Sequence, residues 1–435
     1  MSMNRRDFLL TAGALSLGRP ALARTSAARP RVIVVGAGFG GASCARFLKE
    51  WEPQVEVTLI EPRPQFISCP MSNTVIAGMN RLEDITLPYD YLKRRVDHFV
   101  ADRVTDIDVG KRTVTTAQGL SLAYDRLVLS PGVELMFDKV EGYDATAQET
   151  VKHAMQAGPE QTGVLRRQLE DMPDGGVFVI AIPMAPFRCP PAPYERISLV
   201  AQYLKRHKPR SKVIVLDANG DLVSKKALFT TAWKKYYGYG TDDSLIEYRP
   251  DNRVIGLDVA EMEVRTEFDE AHGDVINLIP PMGAGALTAR IGARTGDNGM
   301  WCPVDFLSFE SLEAPNVHIL GDAMLANLSK AAALANTSGK LCAWALGEIF
   351  AGRQPDPEPV LSSTCYSLGS DQAAFNVATV FRYNPKSKLL EVQEGSNGVS
   401  DHESAEELKY LRGWAHNIWI DTLALPRDYP FTNRF

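Results

Sequence analysis

Near-continuous apolar runs of strand length recur along the 435 residues, and each stops at a cluster of Gly, Pro, Ser or Asp. "RVIVV" spans 31–35, a second run ends at Glu61, and a third lies within "YDRLVLSPG" at 124–132. Further runs fill 176–182, "KVIVLDA" ending near Asp217, and "NVHILGDA" at 316–323. Such runs predict strands covered on both faces, as in a parallel sheet, whereas alternating patterns belong to half-exposed strands. Helical spacing follows the first run at about 40–50 and the fourth at about 193–206. The chain therefore reads as α/β, with two βαβ units far apart in sequence. From about residue 356 it turns irregular and Pro-rich ("GRQPDPEPV"), then ends in a predicted helix within "ESAEELKYLRGWAHNIWIDTL". Leu408, Leu411, Trp414 and Ile418 give that helix one apolar face, which suits a core or a subunit interface better than a membrane anchor.

The turns after the two leading strands differ in chemistry. In "RVIVVGAGFGGASCARFLKEWEPQVEVTLIEP", Gly36 permits a tight turn, Gly38 lets backbone approach a pyrophosphate, and Gly41 allows close packing of helix on strand. Glu61, twenty residues beyond the last glycine, is placed to accept hydrogen bonds from a ribose. In "FVIAIPMAPFRCPPAPYERISLVAQYL", the corresponding turn holds Pro183, Pro186, Cys189, Pro190, Pro191 and Pro193, with no glycine. Prolines remove N–H donors, and a pyrophosphate needs several at close range. NAD(P)H is therefore not expected in the second unit, the alternative being a nicotinamide dinucleotide bound in another manner.

Composition narrows the setting. "NRRDFLLTAGALSLGRPALA" opens on Arg5 and Arg6, continues through a short apolar core and ends in the small residues Ala21 and Ala23. This reads as a twin-arginine export signal over residues 1–23, and export of folded chains to the periplasm suits a protein loaded with cofactor. Removing it takes Arg5, Arg6, Asp7 and Arg19, so 47 basic against 53 acidic residues become 44 against 52, and the net charge moves from −6 to −8. That balance argues against nucleic acid as a partner and suits a basic protein. The six cysteines have no CxxC or clustered His/Cys spacing, so no metal site is expected, and no CxxCH is present to attach haem. Cys44 and Cys342 fall in helices and read as packing residues.

Two of the strand ends resemble the other flavin-contacting motifs of two-dinucleotide-domain flavoproteins. They are "YDRLVLSPG", which brings Pro131 and Gly132, and "NVHILGDA", whose Asp322 takes the place of the acid that binds the ribityl chain of FAD. That resemblance implies FAD, held by a discontinuous domain over 28–135 and 285–355, with a second βαβ domain at 136–284 and a C-terminal interface domain at 356–435.

"FISCPMSN", "APFRCPPAPYER" and "SSTCYS", with "INLIPP", "WCPVDF" and "HILGDA", resemble the flavoprotein subunit of flavocytochrome c sulfide dehydrogenase from about residue 30 onward. The resemblance implies a glutathione-reductase-like fold, FAD, and oxidation of sulfide with transfer of electrons to a c-type cytochrome subunit that carries the haem c. It makes Cys69 the cysteine bonded to the 8α-methyl group of FAD, and Cys189 and Cys365 a redox disulfide over the flavin. Glu195 becomes the acid–base residue beside it and Trp414 a tryptophan near the flavin. One difference stands out, Pro70 after Cys69 where the family pattern has tyrosine. The chemistry is coherent: hydrosulfide attacks a disulfide sulfur, one cysteine becomes a persulfide, and the freed thiolate passes two electrons on. Cys189, just before a helix N-terminus, is the position where a dipole would favour thiolate. Other readings of the same residues are a structural staple between Cys189 and Cys365, a sulfide:quinone oxidoreductase, and a noncatalytic accessory flavoprotein of a sulfur-oxidation complex.

Overall fold

The computed structural model describes residues 29–432, so the export signal expected at 1–23 lies outside the described residues. Strands β1 (Arg31–Val35), β2 (Glu56–Ile60), β3 (His98–Val100) and β4 (Arg126–Leu129) enter one sheet, and a strand from much later in the chain, Val317–Ile319, completes it. All five are parallel, in the order Val317–Ile319, β4, β1, β2, β3. β1 and β4 are buried along almost their whole length, as their unbroken Val/Leu/Ile runs require for a sheet covered on both faces. Helix α1 (Phe39–Trp51) crosses from β1 to β2, and α5 (Ala332–Phe350) packs against it through small residues.

A second parallel sheet comes from β5 (Val177–Ile182), β6 (Lys212–Asp217), β7 (Ile246–Arg249) and β8 (Val275–Leu278), in the order β7, β6, β5, β8. Between β5 and β6 runs α3 (Ala192–His207), and α4 (Lys226–Tyr237) follows β6. The observed β1, α1, β5 and α3 fall within about a residue of the limits read from hydrophobic pattern.

The stretch after 356 corrects the expectation of irregular chain. Val360–Leu368 and Ala374–Asn384 pair antiparallel over nine residues, and Leu389–Val392 joins their sheet. The apolar run fails there because serines occupy buried as well as exposed positions: Ser363 and Ser367 are buried and Ser362 is exposed. The terminal helix α6 (Ala405–Leu423) is capped by the Ser404 hydroxyl, which accepts from the Glu407 N–H at 3.0 Å. Leu408, Leu411 and Ile418 are buried and Trp414 is half-buried. Among the described residues no helix is long and apolar enough to cross a membrane.

Candidate active site

One cavity, about 980 Å³ counting its mouth, runs from the β1 turn to the proline-rich turn after β5. Gly38 lines its first end, and a Cβ built there meets nothing within 4 Å, so the backbone lies open to a ligand. Gly36 is held at φ +94, and a Cβ on it would come 2.5 Å from the Ser130 carbonyl oxygen. A Cβ on Gly41 would sit 2.0 Å from the Gly36 oxygen, so neither position admits a side chain. Gly38 caps α1 without a side-chain bond and Gly41 N–H is taken by Ser130 Oγ at 3.1 Å, so Phe39 and Gly40 are the residues of the helix start that line the cavity. Gly132, at φ +67, lines the same cavity.

Not every predicted residue reaches it. Gly36, Gly41 and Pro131 shape the wall from behind. Glu61 is buried at 2% exposure, and its carboxylate accepts from Ala37 N–H at 2.8 Å and from the Arg63 N–H and Nε at 3.0 Å each. Its place at the end of β2 is the one the sequence indicated, yet it braces the glycine turn and does not line the cavity. Asp322 does line it, with Oδ2 at 3.3 Å from Arg188 Nε.

At the far end Cys69, Cys189, Glu195, Cys365 and Trp414 share the wall. Cys69 sits one short loop before α2 (Ser72–Ile76). Cys189 is in the left-handed region at φ +52, its N–H donating to the Lys330 carbonyl at 2.7 Å and its own carbonyl accepting from Ala192 N–H at 2.9 Å. Cys365 comes from the middle of Val360–Leu368, paired with Val377 in register. Its thiol and that of Cys189 are hydrogen-bonded to each other, both free of a covalent partner. The pair divides its acidity. Donation to Cys365, then burial, pushes Cys189 well above the usual thiol range, whereas the bond received from Cys189 and the nearby Lys225 pull Cys365 down despite burial. Of the two, Cys365 is the more acidic thiol, favoured by a donated hydrogen bond and a cation, whereas the dipole argument from sequence favoured Cys189 at the helix N-terminus.

Glu195, in the first turn of α3, accepts from Asn73 Nδ2 at 2.6 Å and from Leu368 N–H at 2.9 Å. Burial raises its carboxyl above the ordinary range, opposed by those two bonds, Lys225 and Arg196. Asn73 cannot turn its amide over, because its Oδ1 accepts from Nε of the fully buried Arg196 at 3.0 Å. Trp414 stands beside Tyr366, ring centroids 5.9 Å apart. Sequence reasoning missed Asn73, Arg188, Lys225 and Lys330, each brought to the site from a separate segment. Lys330 Nζ bonds the Asp322 and Met324 carbonyls at 2.8 and 3.0 Å and lies 3.5 Å over the Trp301 ring, and burial lowers it to about 8.

In the proline turn, Ala185 N–H is bonded to Asn219 Oδ1 at 3.0 Å and Arg188 N–H meets Met282 Sδ at 3.4 Å. Asp217, at the end of β6, is fully buried and accepts from Tyr194 and Tyr248 hydroxyls at 2.8 and 2.9 Å. Cys44 and Cys342 are buried between α1 and α5, and Cys302 is buried away from the pair.

An open glycine cradle joined to a long apolar-walled cavity fits FAD: Gly38 and the start of α1 would hold its pyrophosphate, and the wall with the cysteines would take its ring. Comparison with known proteins agrees. Residues 162–280 match the sulfide dehydrogenase (flavocytochrome c) flavoprotein chain, central family, and 357–423 match flavocytochrome c sulphide dehydrogenase, flavin-binding. Residues 30–169 match pyridine nucleotide-disulphide oxidoreductase. The sulfide dehydrogenase (flavocytochrome c) flavoprotein chain of Chlorobaculum thiosulfatiphilum is 56% identical over 45 residues, 10% of this chain and 94% of that sequence. The mitochondrial sulfide:quinone oxidoreductase of Mus musculus is 25% identical over 334 residues, covering 71% of this chain and 69% of that one. The sulfide:quinone oxidoreductase structure from Aquifex aeolicus superposes with a TM-score of 0.71 at 18% identity, over 90% of this chain and 91% of that one, which establishes the shared fold. From the paired family matches and the short, close relative, this chain belongs to the flavoprotein chains of flavocytochrome c sulfide dehydrogenase.

Proposed function

We propose that this chain oxidises hydrogen sulfide to sulfane sulfur or polysulfide through Cys189, Cys365 and FAD, and passes the electrons to a c-type cytochrome subunit that carries haem c. The observation that carries the reading is the Cys189–Cys365 pair, with Glu195 behind it, on one wall of the cavity whose other end is the glycine cradle. In the oxidised pair, hydrosulfide attacks one sulfur and the S–S bond breaks, leaving one cysteine as persulfide and the other as thiolate. Glu195, held by Asn73 and Leu368, takes the hydrosulfide proton or returns it as a second sulfide arrives. The apolar wall excludes water, and Arg188 keeps its charge against Asp322 at the pair's side. Bound FAD supplies the two-electron acceptor for the thiolate. Cys69, which lines the same wall, would be the residue that bonds the flavin covalently.

The committed N–H groups of the proline turn and the occupied Asp217 support a reductant other than NAD(P)H. The arginine pair at the N-terminus and the acidic balance support export to the periplasm by the twin-arginine route and a basic soluble acceptor. A second reading, transfer to quinone, is favoured by the similarity to sulfide:quinone oxidoreductases. Assaying the purified chain with sulfide and either cytochrome c or a soluble quinone analogue separates the two: fast haem reduction with slow quinone reduction is expected, and the reverse overturns the cytochrome assignment.

A further inference from the structure

Lys225 sits behind the thiol pair, outside the cavity wall, at the N-cap of α4 and in the left-handed region at φ +51. Its ammonium is tied to the very strand that carries Cys365: Nζ donates to the Cys365 carbonyl at 2.7 Å and to the Ser367 hydroxyl at 3.0 Å. The Phe375 ring lies beneath it at 5.6 Å. Burial pulls its affinity for the proton down, opposed first by Cys365 and then by Glu195 and Cys189, so the ammonium stands at a fixed place beside the pair with Cys365 as its strongest partner. Its stem is half-buried, and a backbone conformation that lysine seldom adopts aims it inward. The other charged groups around the pair are Arg188 from the proline turn, Glu195 and Arg196 from α3, and Glu407 from α6, the last bonded to Asn376 and Ser400.

We propose that Lys225 is the positioning residue that keeps Cys365, and not Cys189, as the thiolate of the reduced pair. This rests on the pair being the redox centre and adds which sulfur bears the charge and what holds it there. Among the described residues, Lys225 is the nearby cation bonded to the Cys365 strand, whereas Arg188 is engaged by Asp322 and Arg196 by Asn73, Asn277 and the carbonyls of His153 and Ala154. On this assignment the proton left on the pair sits on Cys189, which donates it to the Cys365 sulfur. Two electrons from the reductant and one proton turn the disulfide into one thiolate and one thiol, and Lys225 decides which sulfur stays charged.

The test is alkylation of the full, flavin-loaded chain after reduction and removal of reductant, with pulses of iodoacetamide from pH 5 to 9 and each cysteine read separately by peptide mass spectrometry. In the wild type Cys365 reacts first and at lower pH than Cys189. In Lys225→Gln the Cys365 midpoint moves up and its labelling at pH 7 slows about tenfold, while Lys225→Arg restores most of the rate. Ser367→Ala, which loosens the ammonium but keeps its charge, gives a smaller shift in the same direction and serves if Lys225→Gln folds poorly. An unmoved Cys365 midpoint in Lys225→Gln, or Cys189 as the low-pH thiol of the wild type, overturns the assignment. Because alkylation needs no sulfide, a correct labelling pattern in a chain that does not oxidise sulfide would sink the proposed function and leave the Lys225 assignment standing.

Discussion

Glu195→Gln separates proton transfer from mere support of the pair. The two carboxylate oxygens of Glu195 each accept one hydrogen bond, from Asn73 Nδ2 at 2.6 Å and from Leu368 N–H at 2.9 Å. Glutamine keeps one oxygen and turns an NH₂ toward the other donor. Asn73 cannot compensate by flipping, since its Oδ1 is held by Arg196. One buried donor is then left facing a donor, at about 1–3 kcal/mol. Loss of a positioned proton carrier lowers the rate by about 10² or more, equivalent to roughly 3 kcal/mol in the barrier. Anaerobic stopped-flow at saturating sulfide, following the flavin band, reads the rate, and thermal melting of the same sample reads the structural part. The expected result is a bound flavin, a modest loss of stability and a rate down about a hundredfold. A stable, flavin-loaded variant within about threefold of the wild-type rate would refute the acid–base role.

Three other outcomes follow from named contacts. Acid-denatured wild type should keep its yellow colour on the polypeptide, and Cys69→Ser should release it; flavin lost quantitatively from the wild type would remove Cys69 as the attachment point. Anaerobic NADH or NADPH should leave the flavin band unbleached, because the proline turn commits its N–H groups and Asp217 is sealed by two tyrosines; rapid bleaching would show the turn misread. His153 is buried and, by desolvation first and then Arg196, Lys152 and Arg188, is lowered from 6.5 to about 3, so between those values the unfolded chain binds a proton that the folded one does not. Stability should therefore fall as pH drops through that window, by up to about 5 kcal/mol, and His153→Gln should flatten the slope seen by denaturant titration; an unchanged slope counts against this assignment.

The parts of the molecule written locally were legible in the chain. Gly36 and Gly41 are required by contacts with Ser130 and with the turn itself, and the runs at 31–35 and 177–182 are apolar because both sheet faces are covered. Cys189 and Cys365 were singled out through resemblance, yet nothing beside either in the chain points to Lys225, which reaches the Cys365 carbonyl from 140 residues away through a tertiary contact. Asn73 likewise meets Glu195 across 122 residues, and neither leaves a mark of spacing or composition. The strand carrying Cys365 was hidden because Ser362, Ser363 and Thr364 interrupt the apolar run that signals a buried strand.

The most direct measurement is an anaerobic titration of the flavin with sulfide in the wild type and in Cys365→Ser and Cys189→Ser. The account predicts full bleaching of the wild-type flavin by sulfide and no bleaching in either serine variant, with flavin still bound in both. Sulfide-driven bleaching that persists in a folded serine variant would contradict it, and the cysteine pair would then be a structural feature of the cavity wall.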